Sequence, residues 1–590
     1  MAIRSRLKKK WNDIQVGRQG SYSIERLESF NAYCDTTSRT RVILVCLLAP
    51  IPSLAIAILL ECLPLCHPSE GWRANWMFWI RQALAALTTA FVGVLSFSTF
   101  VPVLNLSLVK ILTIPSLLSV MYITTMLVAS SKIGFPLPFT EQLGNMVVAA
   151  YILIVLVLVL GKSSFTKEST CRRYVLRFQR YQYTYFAFTT IYPFCKALHD
   201  SLDPTYRKLI VLILPIWKIG AEYIVISATR ELEDIIPQTL SFTVDLYSSL
   251  FMSVCMSSAG SLLFSISFIV ADIGLTLLEF RELRVNAFIV VQLLNQQVIS
   301  QDSLQSAFST GSPDLLAMIL AVTRDPYAYN IISMTGVRLH ACLPHPLPED
   351  RSKQLQILAA SGIYCQNITI KTRSSYRISH FFSKSSVQPI EHNVVNVSTR
   401  QQIHEPAQCL KVSKAKNDRR SEDFVLQGLQ FLFHREYLAL VEYIECVVPI
   451  IYVIYKSILE MLPNVVYYPG GPGKWGTFAR SNVLVFALLE IGSFLFLHQW
   501  IQRKFKVSPI YQVAFVLEKM VWQVQSMLLL SSFLLSYELA HHENLPLWSD
   551  LNIIVMYKIW IVVTNLKAYI IFLIGSDLYS LNNTRICIKQ

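Results

Sequence analysis

Twelve stretches of about twenty mostly apolar residues punctuate this chain, and they constrain its fold more than any motif does. A hydrocarbon core of roughly 30 Å takes about 20 residues as helix, and every backbone N–H and C=O inside it must be satisfied without water. The candidate spans are 42–60, 83–104, 111–131, 143–161, 181–199, 209–228, 240–260 and 261–280, then 437–463, 482–500, 510–535 and 551–575. The predicted fold is all-α: a polytopic transmembrane helix bundle of about twelve spans with a long cytoplasmic connection. Ten is the lower count, because 181–199 contains Lys196 and several tyrosines, while 240–260 and 261–280 share one run. Pro50, Pro52, Pro115, Pro193, Pro215 and Pro449 fall inside spans, where kinks are expected.

Composition agrees with lipid as the solvent. Hydrophobic side chains make up 53% of the 590 residues and charged ones 15%, outside the usual balance of a soluble globular chain. The 52 Lys and Arg exceed the 38 Asp and Glu, giving a net charge of +14. Placement explains that excess. Nine Lys/Arg lie in 1–41, six in 162–180 and three in 501–509, whereas 61–82, 132–142, 200–208 and 464–481 hold two, one, two and two. The positive-inside rule therefore puts both termini in the cytoplasm. It also puts 281–436, with 17 Lys/Arg, on that side. Nucleic acid is not an expected partner, since the basic residues flank spans and form no recognition motif.

The expected organisation is a basic cytoplasmic tail at 1–41, an N-terminal membrane block of about eight spans at 42–280, and a partly flexible cytoplasmic connection at 281–436. A C-terminal block of four spans at 437–575 and a cytoplasmic tail at 576–590 complete it. Within the connection, Pro313 to Thr323 and Phe424 to Arg435 are expected as short helices on the membrane or bundle surface, and 366–420 as a flexible link. The first apolar run starts at Val42, so the first span, and not a cleaved leader, is expected to target the chain. Twelve scattered cysteines, among them Cys46, Cys255 and Cys446 inside spans, imply no disulfide framework; Cys62 and Cys66 are close enough in sequence to oxidise locally.

Ionisable residues inside spans are costly unless paired or hydrated, so they mark candidate functional positions. Lys218 and Glu222 lie four apart on one helix and can neutralise each other. Asp245, Asp272 and Glu490 have no base nearby in sequence, and Lys558 and Lys567 sit in the last span. Glu442 and Glu445 share a helical face; they suit cation or proton binding, or pairing with Arg435 or a loop lysine. An interhelical charge network is expected, serving either as an ion pathway or as structural pairing. Ser253, Ser257 and Ser261 recur at the spacing of close helix packing. Near the N-terminus, Ile3, Leu7, Trp11 and Ile14 with Arg4, Arg6 and Lys8 to Lys10 read as an interfacial basic helix that binds anionic lipid, or as a topology signal.

No catalytic, metal or cofactor motif is found. The run from Tyr467 to Lys474 lacks the spacing of a phosphate loop, and His541, His542 and Glu543 read as a polar turn rather than a metal site. Enzymatic activity and a cofactor are not expected.

Gly17 to Arg26 (GRQGSYSIER), Pro68 to Asn75 (PSEGWRAN), Leu438 to Cys446 (LALVEYIEC) and Val465 to Gly471 (VVYYPGG) resemble blocks of a large, lineage-expanded family of multipass membrane proteins of oomycetes, uncharacterised as to activity. The resemblance implies a membrane location, with an N-terminal multispan block, a polar centre and a C-terminal block; it assigns no functional residue. Two functions lead: a transporter or channel-like protein using the buried ionisable residues, and a membrane receptor or scaffold whose cytoplasmic stretch binds protein partners; a membrane enzyme ranks third, and only polar groups clustered at one membrane face would favour it.

Overall fold

The computed structural model describes residues 15–533 apart from 202–216, 258–261, 299–313, 365–405 and loop positions 136, 138–139, 162–164, 167–168, 330, 332, 335, 469–470 and 474. The described chain is helical, with no strand. Its helices are α1 (Ile24–Thr36), α2 (Arg39–Leu48), α3 (Ile51–Glu61), α4 (Trp76–Phe100), α5 (Leu108–Ile133), α6 (Thr140–Leu160) and α7 (Thr170–Ser201). Next come α8 (217–228), α9 (Arg230–Ser257, several helical segments in series), α10 (Leu262–Val298), α11 (Leu315–Arg324) and α12 (Glu349–Ala360). The last are α13 (Pro406–Leu459), α14 (Thr477–Phe505), α15 (Pro509–Lys519) and α16 (Val521–Phe533).

Among the described residues seven helices are long and apolar enough to cross a bilayer, or eight if α15 and α16, bent by 87°, count as one span. The expected twelve are not reached there: 551–575 and the first eight residues of 209–228 lie outside the described residues. Ala49 and Pro50 join α2 to α3, and the two count as one span. Apolar side chains cover the outer faces: Leu59, Leu108 and Leu158 are 67, 78 and 68% exposed. Water would penalise such a surface, whereas acyl chains would not.

α13 is the axis of the bundle and packs against α9, α10, α14 and α15. Its polar side chains divide into three levels: Arg435 and Glu436, then Glu442 and Glu445, then Tyr455. At about 1.5 Å rise per residue, Glu436 and Tyr455 stand about 28 Å apart, close to the thickness of a hydrocarbon core, with Glu445 near the middle. The segment expected to lie on a surface, Phe424 to Arg435, is instead a buried stretch within this long helix, because Phe424, Leu429, Phe431 and Phe433 pack into the core.

One level is a collar that seals the end assigned by charge to the cytoplasm. Residues 15–36 were expected as part of a tail, yet from Val16 to Phe30 nearly every residue is buried. Gly17 and Gly20 let this segment run against α13; a Cβ at Gly20 would come 2.6 Å from the Phe433 ring. Its backbone pairs with the loop before α12, Ile24 N donating to Arg338 O at 2.9 Å and Glu25 N to Leu339 O at 3.0 Å. Ser23 caps α1 by accepting from Arg26 N at 3.3 Å. Arg26 then pairs with Glu436 at 2.6 Å, both wholly buried. Tyr22 donates to the same carboxylate, and Gln512 Nε2 donates to the Tyr22 hydroxyl at 2.9 Å. Beside them Asp234 accepts Arg338 at 2.9 and 3.0 Å and Cys342 N at 2.9 Å. Asp314 caps α11, and Arg324 from its end forks onto Glu28 at 2.7 and 2.8 Å.

The opposite level is a smaller plug. Glu61, at the end of α3, accepts from Arg81 of α4 and from Tyr455 and Tyr468 at 2.8 and 2.7 Å. Asn464 donates to the Glu61 and Leu63 carbonyls at 2.7 and 2.8 Å. These bonds tie the connection after α3 to the turn after α13. Cys62 and Cys66 are both free thiols here.

Candidate acidic site at mid-depth

Between collar and plug, five helices bring ionisable side chains to one buried place. α8 contributes Lys218 and Glu222, four residues apart and therefore on one face. α9 contributes Asp245, the last residue of a π-helical turn at Ser241–Asp245. Such a turn inserts an extra residue into the α-helical ladder and re-aims the side chains beyond it. Asp245 is fully buried. α10 supplies Asp272 and, two turns on, Glu279; α13 supplies Tyr437, Glu442 and Glu445; α14 supplies Glu490.

Lys218 is the shared cation. Its Nζ lies 2.9 Å from Asp245 Oδ1 and 3.5 Å from Glu445 Oε1. It therefore bridges two other helices, although Glu222, its expected partner, is close enough to feel its charge. Glu222 instead accepts from Tyr437 at 3.3 Å. Arg435, expected at Glu442 and Glu445, goes elsewhere, its Nε donating to Gln512 at 2.6 Å, and Glu442 bonds Ser493; the loop lysines between 371 and 416 lie outside the described side chains.

The tightest grouping is Asp272, Glu445 and Glu490, each buried, which offer one oxygen apiece within 4.8 Å of one another. Asp272 and Glu490 are hydrogen-bonded, which requires a proton between them. Asp245 Oδ2, Asp272 Oδ2 and Glu442 Oε2 are buried oxygens that lack a hydrogen-bond partner among the described residues. Counting Glu222 and Glu279, seven carboxylates face one ammonium among the described residues. Leaving six uncompensated charges in a dry interior would cost several kcal/mol each, so the cluster must hold protons or cations.

All seven residues singled out in the sequence, Lys218, Glu222, Asp245, Asp272, Glu442, Glu445 and Glu490, meet here. Glu279 and Tyr437 were not singled out. Glu279 lay at the expected end of a span, but α10 runs on to Val298, so the residue is mid-helix on the Asp272 face; the seven-residue spacing was the available signal. Ser257 meets the Tyr452 hydroxyl at 2.8 Å, in keeping with α9 packing on α13. Lys558, Lys567 and His541 to Glu543 lie outside the described residues. A separate apolar cavity of about 80 Å³ sits between α4, α5, α6, α7 and α16, beside Ala86, Gly93, Leu118 and Phe186, and not at the acidic cluster.

Fold and site together define a class: among the described residues, a helical bundle with seven or eight helices able to span a bilayer and a buried polar cluster between them. No protein-family model, curated protein or solved structure matches the chain.

Proposed function

We propose that this chain is a multipass membrane transporter or channel-like protein that handles protons or a small cation through the Lys218 cluster, with both termini in the cytoplasm. The observation that carries the reading is the convergence of Asp272, Glu445 and Glu490 from three helices within 4.8 Å, beside one lysine. Oxygen-only donors suit hard cations and protons. Lys218 supplies an internal charge that can move between Asp245 and Glu445 as an external cation comes and goes. Glu222, Glu279 and Tyr437 extend the polar column about 10 Å along α10 from Asp272 toward the collar. Collar and plug cover the two ends of the bundle, the arrangement expected of a site closed to both faces.

The test is flux. Purified protein in proteoliposomes is given a proton or alkali-cation gradient, read with an internal pH dye and with isotope uptake. Wild type should carry flux, and Glu445→Gln, Asp272→Asn and Glu490→Gln should each lower it at least tenfold while the protein stays folded. Empty-vesicle rates for wild type under every gradient would discard the reading.

A further inference from the structure

The collar-side end of α14 carries a groove of about 310 Å³ lined by Phe496, Gln499, Trp500, Arg503 and Lys504. Its aromatic wall is braced from α10, where Phe280 meets Trp500 edge-on at 5.0 Å and Phe496 at 5.5 Å. The Lys504 ammonium stands 5.2 Å from the Trp500 ring centre. Arg284, one turn beyond Phe280, is close enough to repel Lys504. Arg503 and Arg284 are exposed, and no carboxylate among the described residues forms an ion pair with Arg284, Arg503 or Lys504. The dipole of α14 favours cations in its last turn but does not account for a third cation brought against them by α10. Below the groove both helices turn bare apolar side chains outward: Phe496 is 60% exposed and Leu277 62%.

We propose that this groove seats an anionic phospholipid. Its phosphate is held between Arg503, Lys504 and Arg284, its glycerol lies on Trp500, and its acyl chains run down Phe496 and Leu277. Three features fit that occupant together: three neighbouring cations with no ion-paired carboxylate among the described residues, a tryptophan at the depth where headgroups meet hydrocarbon, and continuity with the apolar belt that lipid must cover. The inference is independent of transport, because it needs no movement of any ion through the cluster.

The experiment is native mass spectrometry of the full chain purified from mixed phosphatidylcholine and phosphatidylglycerol micelles. Wild type should retain phosphatidylglycerol in preference to phosphatidylcholine. Arg503→Gln, Lys504→Gln and Arg284→Gln should each cut that retention roughly fivefold, and pairs of them about thirtyfold. Lys132→Gln, an exposed lysine at the end of α5, should change nothing. The charge-preserving pair Arg503→Lys with Lys504→Arg should keep the lipid. Equal retention of both lipids by wild type, retention unaltered in the glutamine variants, or loss in the charge-preserving pair would each overturn the proposal. So would displacement by inorganic phosphate as effective as that by the lipid, which would mark a free-anion site.

Discussion

The guanidinium of Arg26 and the carboxylate of Glu436 meet at 2.6 Å, wholly buried, although 410 positions separate them in the chain. This contact fastens the N-terminal segment to the axis of the bundle. Removing one partner strands the other charge in the interior, so Arg26→Met or Glu436→Gln alone should destabilise by about 3–5 kcal/mol. The double variant Arg26→Met with Glu436→Leu should cost much less than the two singles added. Thermal unfolding in detergent measures all three, and strict additivity would show that the pair is not coupled.

His345 gives the collar a pH dependence. Burial, and then the nearby Arg26 and Lys519, push its imidazole down from 6.5 to about 3 against the pull of Asp234. The unfolded chain therefore binds a proton first as pH falls. Stability is complete above about 6.5 and lost progressively toward 3, by at most about 5 kcal/mol. The backbone N–H of His345, which donates to Glu25 at 2.8 Å, survives substitution. Limited proteolysis across this pH range should find wild type opening in acid, and His345→Phe should flatten its share of the response.

Gly17 and Gly20 hold the N-terminal segment close to α13. A methyl at Gly17 would collide with the His434 ring, and one at Gly20 with Phe433. Gly17→Ala and Gly20→Ala should each cost about 1–3 kcal/mol by overpacking. Gly93→Ala, where nothing lies within reach of a Cβ, is the matched control. Three indistinguishable melting temperatures would refute the close approach.

At the plug, Glu61 gathers Arg81, Tyr455 and Tyr468. Glu61→Leu leaves Arg81 buried without its carboxylate and should destabilise by about 3–5 kcal/mol. The restraint on the neighbouring connection should loosen too, so Cys66, half-buried, should react faster with a water-soluble thiol reagent. An unchanged labelling rate would mean that Glu61 does not hold that connection.

The membrane-type architecture was legible because apolar run length answers directly to bilayer thickness, and a charge inside such a run stands out against a cost of several kcal/mol. That is why Lys218, Asp245, Asp272 and Glu490 could be picked without a structure. Pairing was not legible. Lys218 has Glu222 one turn away in sequence yet reaches Asp245 and Glu445, because the π-turn of α9 and the packing of α13 present those oxygens first. Glu279 escaped notice because a span boundary drawn from hydropathy ended where the real helix continues.

The sequence by itself determined that the chain is helical, rich in segments able to cross a bilayer, and burdened with ionisable groups inside them, since these properties arise from local hydrophobicity and backbone hydrogen bonding. Tertiary structure alone decided that residues 16–36 form part of a buried collar rather than a tail, that Phe424 to Arg435 is buried, and that, among the described residues, seven carboxylates gather around one lysine. Those outcomes depend on which distant helices meet, and charge complementarity over a few ångströms is written in no local pattern of the chain.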